Sequence, residues 1–185
     1  MDKIEKNLLE EIADIHEVPE GAYNIRANGK LESRNTTANI DIVTKKDKPG
    51  IDIIIKPGTV NESVHIPVIL SESGLKDLVY NDFYIGEGAD VTIVAGCGIH
   101  NCGDQASEHD GIHTFYIEKD AKVRYIEKHY GEGDGKGDRI FKSDHCCAYR
   151  GRRLYGDGDR ADQGRKFHRA YDRGGSFRRS ILSDP

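Results

Sequence analysis

The stretch Tyr84–Gly133, YIGEGADVTIVAGCGIHNCGDQASEHDGIHTFYIEKDAKVRYIEKHYGEG, decides the fold. Near-copies of one phrase frame it. The first runs Tyr84-Ile85-Gly86-Glu87-Gly88-Ala89-Asp90-Val91-Thr92-Ile93 and the second Tyr116-Ile117-Glu118-Lys119-Asp120-Ala121-Lys122-Val123-Arg124-Tyr125. Ala89 and Ala121 are 32 residues apart, and both phrases fit Y-I-x-x-x-A-x-V-x-(I/Y). Alternating apolar positions around a polar turn and a small Ala describe one coil of a β-solenoid, which buries its apolar row against the next coil.

Outward from this stretch the same period of 2 recurs. Ile40 and Ile42 alternate, then Ile51, Ile53 and Ile55, then Val64, Ile66, Val68 and Leu70, with Pro49-Gly50 and Pro57-Gly58 turning the chain between them. Short strands at regular spacing are an all-β signal. Ser71–Val79 reads as a bend or short helix, and residues 22–37 as loop with short strand pieces around one Asn-Gly. The N-terminus differs. Ile4, Leu8, Leu9, Ile12 and Ile15 fall on one helical face, predicting an amphipathic helix over residues 1–16 that Val18-Pro19-Glu20-Gly21 ends.

A chain of 185 residues with 36% hydrophobic and 32% charged residues suits one modest domain. No apolar run approaches the ~20 residues of a membrane span and no signal-peptide core follows Met1, so the expected location is the cytoplasm. Four clustered cysteines do not make a secreted disulfide scaffold. A pI near 5.9 argues against nucleic acid as a partner.

The soft-ligand chemistry lies between the two phrases: Cys97, His100, Cys102, His109 and His113. Thiolates and imidazoles suit zinc, iron(II) or an iron–sulfur cluster. Cys97 and Cys102 have opposite strand parity, so both reach one ion only if a turn falls between them. The competing reading makes them small interior side chains of the solenoid. Glu127 and His129 read as a polar surface row. The glycines at 86, 88 and 131–137 make no phosphate loop, because no Gly-Lys-Ser/Thr follows.

Several long segments resemble the core domain of the SufB/SufD family, scaffold proteins of the SUF iron–sulfur assembly system. They are Tyr80-Asn81-Asp82-Phe83-Tyr84-Ile85-Gly86, Ala95-Gly96-Cys97-Gly98-Ile99-His100-Asn101-Cys102-Gly103, Glu108-His109-Asp110-Gly111-Ile112-His113-Thr114-Phe115 and Glu127-Lys128-His129-Tyr130-Gly131-Glu132-Gly133. Val18–Arg26 is similar to the segment entering that domain, and the resemblance covers residues 17–140. It is to the short form of anaerobes, since the N-terminal cysteine cluster of the longer form is missing. The resemblance implies a right-handed parallel β-helix and a non-enzymatic scaffold that gathers sulfur and iron. It also implies a second SufB/SufD-like subunit and an ABC-type ATPase partner, SufC, docked on a C-terminal helical segment. An iron–sulfur cluster or iron is the implied cargo, with Cys97 and Cys102 as possible contacts. The alternative is a stand-alone metal-dependent enzyme with Cys97, His100, Cys102, His109 and His113 around one ion and an open position for water.

Composition breaks near residue 141. Residues 1–141 hold 12 Lys and 4 Arg; residues 142–185 hold 2 Lys, 9 Arg, six Asp and no Glu. Net charge swings from about −10 to +5 across that point. A one-base frameshift at the Phe141 codon accounts for it. With one T removed, synonymous codons read I-L-N-P-T-T-V-V-L-T-E-E-G-A-Y-M-E-M-E-T-E-Q-I-K, which restores alternation and Glu-rich composition. The Ala of that reading falls at the Arg153/Leu154 codons, continuing the period between Ala89 and Ala121. On this reading 141–185 is an aberrant, disordered tail, Cys146-Cys147 is accidental, and SufC contact is lost.

Overall fold

The computed structural model describes residues 1–13, 19–149, 167–169 and 176–182. The chain is mainly β, a partial parallel β-helix of about three turns behind one N-terminal helix. Helix α1 (Lys3–Ala13) is followed by strands β1 (Ala22–Ala27), β2 (Lys30–Asn35), β3 (Ile40–Thr44), β4 (Gly50–Ile55), β5 (Val60–Leu70) and β6 (Lys76–Ile85). Then come β7 (Asp90–His100), β8 (Ser107–Ile117), β9 (Lys122–Glu132), β10 (Arg139–Tyr149), β11 (Phe167–Arg169) and β12 (Ser176–Leu182).

These strands form two six-stranded sheets, ordered β12-β9-β7-β5-β1-β2 and β11-β10-β8-β6-β4-β3. The chain alternates between them, so one coil is a strand of each sheet and two turns. Val91 pairs with Val123 and Tyr80 with Ile112, all in parallel ladders. The 32-residue repeat is therefore one coil. The turns repeat too: the Lys122 amide donates to the Ala89 carbonyl at 2.7 Å, and the Asp90 amide to the Thr59 carbonyl at 2.8 Å. The small Ala of each phrase is fully enclosed at this corner, which explains why both copies keep it.

Antiparallel strands stand at both ends of the parallel stack. At the start β2 turns back on β1 and β3 on β4. Residues 22–37, expected to be mostly loop, form the β1–β2 hairpin. Its Asn28-Gly29 turn has φ of 49° and 76°, the pair of positive values that a two-residue type I′ hairpin needs. Ser71–Val79 is also more regular than expected, because β6 begins at Lys76. At the other end β12 lies antiparallel on β9 and β11 on β10.

Between the sheets runs a lumen. One half is apolar: Phe83 stacks on Phe115 at 4.6 Å, Tyr125 meets both rings edge-on, and Ile53, Ile85, Val91, Ile93 and Val123 fill the remainder. Aromatic pairs of this geometry add ~0.5–1.5 kcal/mol to their area burial.

The predicted helix forms over Lys3–Ala13, and residues 14–16 of the expected span lie outside the described residues. Asp2 and Glu5 exchange backbone-to-carboxylate bonds, each 2.9 Å, a reciprocal capping box. Leu8, Leu9 and Ile12 pack against Tyr23, Ile25, Ala27 and Ile69 on the outer face of the first sheet. Gly96 and Gly98 make this approach possible. A Cβ at Gly96 would lie 3.0 Å from the Ile12 carbonyl oxygen, and one at Gly98 3.1 Å from the Leu8 Cβ.

Strand β10 pairs with β8 along all eleven residues from Arg139 to Tyr149. The composition break at 141 thus falls inside a strand, and the coil lattice continues to 149. Much of the expected aberrant tail, including Arg153 and Leu154, lies outside the described residues.

A polar cluster in the lumen and a thiol outside it

The other half of the lumen is polar. Inward positions of β6, β8, β9 and β10 carry Asp77 and Asn81; His109 and His113; Glu127 and His129; and Ser143 and His145. Cys97 of β7 completes the ring. Strand alternation places them there: Val123 and Tyr125 point inward, and Glu127 and His129 continue that parity. The sequence reading of these two residues as a surface row is corrected. The cue was the parity of Val123 and Tyr125, which extends past Ile126 without interruption.

Glu127 is the centre. Its side chain is 16% exposed, and its carboxylate lies 3.9 Å from His113 Nε2, 3.6 Å from His129 Nε2 and 3.3 Å from His145 Nε2. The Ser143 hydroxyl donates to it at 2.8 Å. Donor atoms of His113, Glu127 and His145 all lie within 4.8 Å of one another. Cys97, His109, His113, Glu127 and His129 also line a small cavity between the sheets, roughly the size of one water molecule or one ion.

Electrostatics here are strained. Burial drives His113 down to about 3, so its imidazole is neutral at physiological pH. Burial likewise lowers His129, though Glu127 opposes that. For Glu127 burial pushes upward, but the His145 hydrogen bond and the fields of His113 and His129 hold the carboxyl below its ordinary range. The result is an ionised carboxylate beside two imidazoles, those of His113 and His129, that burial pushes toward the neutral form. No Lys or Arg ion pair to Glu127 forms among the described residues. The buried Nδ1 atoms of His113 and His129 and the Tyr125 hydroxyl make no well-formed hydrogen bond.

A cation between the Nε2 atoms and the carboxylate would answer the charge and take the Nε2 lone pairs as ligands. Two or three imidazoles with one carboxylate suit Fe(II) or Zn(II), and a neighbouring thiol suits their sulfur chemistry. His109 is held in place from behind. Its Nδ1 lies 3.2 Å from Asp77, which Arg26 holds at 2.9 Å from the other side. With Nδ1 donating to Asp77, the lone pair of His109 is on Nε2. Burial raises Asp77 and these two partners more than offset it. Cys97 is a buried thiol raised well above its ordinary value by burial, with Asp77 and Glu127 adding to the effect.

Of the five residues singled out in the sequence, the structure gathers Cys97, His109 and His113 in the lumen. His100 and Cys102 do not join them. His100 follows Ile99 with outward parity, and Cys102 lies exposed in the turn after β7. The two pair with each other instead, Sγ to Nε2 at 2.9 Å. The single five-ligand ion of the enzyme alternative therefore has no common point, because the sheet wall separates the two groups. Glu127, His129 and His145 take part in the lumen group and were not among the residues picked from sequence.

No protein-family model matches this chain, and no curated protein sequence does either.

Proposed function

We propose that this chain is an iron–sulfur assembly scaffold of the SufB/SufD type, and that the lumen cluster is where iron is handled as cargo. The carrying observation is the Glu127 carboxylate, enclosed by His113, His129 and His145 beside Cys97 and a cavity of ion size. The four motif segments of the resemblance bear on the same place, since Asn81, Cys97, His109, His113, Glu127 and His129 all come from them. A parallel β-helix is also the fold that resemblance implies.

On this reading Glu127 supplies the charge that draws Fe(II) into the lumen. The imidazoles exchange water for nitrogen ligands, and Cys97 offers a thiol that becomes a thiolate when metal offsets its burial. Retention is reversible, because no closed set of four thiolates fixes the metal. A second scaffold subunit is the partner this reading entails, while contact with the SufC-type ATPase of the intact family is expected to be lost with the sequence change near residue 141.

Anaerobic calorimetric titration of the full chain with Fe(II) tests the proposal. Wild-type protein should bind close to one equivalent, and Glu127→Gln should weaken binding by roughly 100-fold, as losing a charged ligand exceeds the 10–100-fold cost of losing a supporting one. Absence of stoichiometric Fe(II) binding, or equal binding by Glu127→Gln, would refute it.

A further inference from the structure

Helix α1 is joined to the solenoid by polar contacts as well as by its apolar stripe, and these contacts meet at Asn28. A side-chain amide offers two N–H donors and two acceptor lone pairs. Here all four are used. Nδ2 donates to Glu5 Oε1 at 3.2 Å and to the Ser71 hydroxyl at 2.8 Å. Oδ1 accepts from the backbone amides of Ser71 at 2.8 Å and Glu72 at 3.2 Å. The Ser71 hydroxyl completes the circuit by donating to the same Glu5 oxygen at 3.0 Å. One carboxamide therefore ties together the first turn of α1, the β1–β2 hairpin and the turn between β5 and β6.

The junction tolerates an amide at position 28 and not an acid. The Glu5 side chain is 12% exposed, and its carboxylate depends on the donors around it. An aspartate at position 28 would remove both Nδ2 donors and set a second carboxylate against Glu5.

Position 28 is also where such an acid forms without an enzyme. In Asn28-Gly29 the nitrogen that follows the carboxamide belongs to a residue with no Cβ to obstruct its approach. Attack by the Gly29 nitrogen on Asn28 Cγ forms a cyclic imide. The Cγ–Nδ2 bond breaks, and ammonia leaves with the proton of the Gly29 amide. Water then opens the ring at either carbonyl, leaving aspartate or isoaspartate. One water is consumed, one ammonia is released, and nothing is oxidised or reduced.

We infer that Asn28-Gly29 is a modification site at which spontaneous deamidation releases α1 from the solenoid, and that the intact junction restrains the reaction. Attack requires the carboxamide to turn toward its own backbone and give up its bonds to Glu5, Ser71 and Glu72. The reaction proceeds through openings of the junction, and its product prevents reclosure. Release of α1 uncovers Tyr23, Ile25 and Ile69 on the outer face of the first sheet, together with Gly96 and Gly98. The helix then undocks in one direction only, at a rate set by how often the junction opens.

The test follows the full chain, native and in denaturant, by peptide mapping for the mass gain of amide-to-acid conversion at Asn28. Native protein should convert on the order of 10- to 100-fold more slowly than the denatured chain, because the junction must open first. The product is then made directly by substitution. In Asn28→Asp, hydrogen exchange across Leu8–Ala13 should quicken on the order of 10- to 100-fold, while β7, β8 and β9 keep their protection. Adding Glu5→Gln should recover that protection, since acid and amide have then exchanged places and the Ser71 hydroxyl serves either arrangement. Equal conversion in native and denatured chains, or unchanged exchange in Asn28→Asp, would overturn the proposal. So would loss of protection throughout both sheets, or no recovery in the double variant.

Discussion

The early and late coils of this β-helix are built on one lattice and filled with opposite chemistry. Along the axis, one inward column of the first sheet runs Ile66, Ala95, Glu127, and its neighbour runs Val68, Cys97, His129. Facing them, one column of the second sheet runs Ile51, Asn81, His113, His145. Closer to the Ile85–Val91 turn the columns stay apolar throughout: Val64, Ile93, Tyr125 and Ile53, Phe83, Phe115, Cys147. The parallel ladder runs through every coil, with one irregularity between Val60 and Glu62. The difference teaches that the ladder and the apolar columns carry the fold, leaving the other columns free to change from carbon to nitrogen and oxygen within two coils.

The apolar columns should therefore show the largest response. Phe115→Ala removes a fully buried ring stacked on Phe83, and the expected cost is ~3–5 kcal/mol, seen as a lower denaturant midpoint with nearly unchanged slope. A loss below 1 kcal/mol would mean the lumen is not packed as described.

Next comes conversion of the late coil into an early one. Glu127→Ile with His129→Val installs the type of residue found at Ile66 and Val68. Replacing buried charged groups by apolar ones of similar size is neutral or stabilising by about 1–4 kcal/mol. Thermal and denaturant melts should show that gain, and the double variant should lose Fe(II) binding. A destabilised product would show that the polar columns are part of the structural frame, erasing the contrast.

Near neutral pH the smallest effect is the slope with acid, which accumulates only as pH falls. His113 sits at about 3 when folded against an ordinary value of 6.5, so the unfolded chain binds a proton that the folded chain refuses between those limits. Its contribution is complete above the ordinary value and falls as pH drops through that window, by about 1.4 kcal/mol per pH unit. The depressed carboxyl of Glu127 acts in the same direction. In metal-free protein His113→Asn should flatten the stability profile between these limits. An unchanged slope would place the neutral imidazole elsewhere.

Much of the coil architecture could be read from sequence, because a side-chain period of 2 and a recurring Ala corner are direct images of the pleat and the turn. The position of helix α1 was less legible, since Gly96 and Gly98 look like turn glycines until a helix is placed over them. For the site, Cys97, His109 and His113 stood out by residue type alone. Glu127 and His129 were missed because charged residues usually mark a solvent face, and here parity outranked charge. The pairing of His100 Nδ1 with the Glu132 carboxylate, at 3.0 Å, required the ladder register, which relates residues 32 apart. The strand at 139–149 was hidden by its composition, although Phe141, His145 and Cys147 keep the inward parity.

A stack of parallel coils resembles a growing polymer, since each finished coil is a template for the next and the geometry supplies no natural stopping point. The reversed strands at both ends act as chain terminators. An antiparallel strand spaces its hydrogen-bonding groups in alternating narrow and wide pairs, whereas a parallel coil presents even, slanted ones. A second molecule offering its own coil end would meet the wrong pattern at β2 and β3. The number of coils in one molecule is then set within the chain and not by concentration.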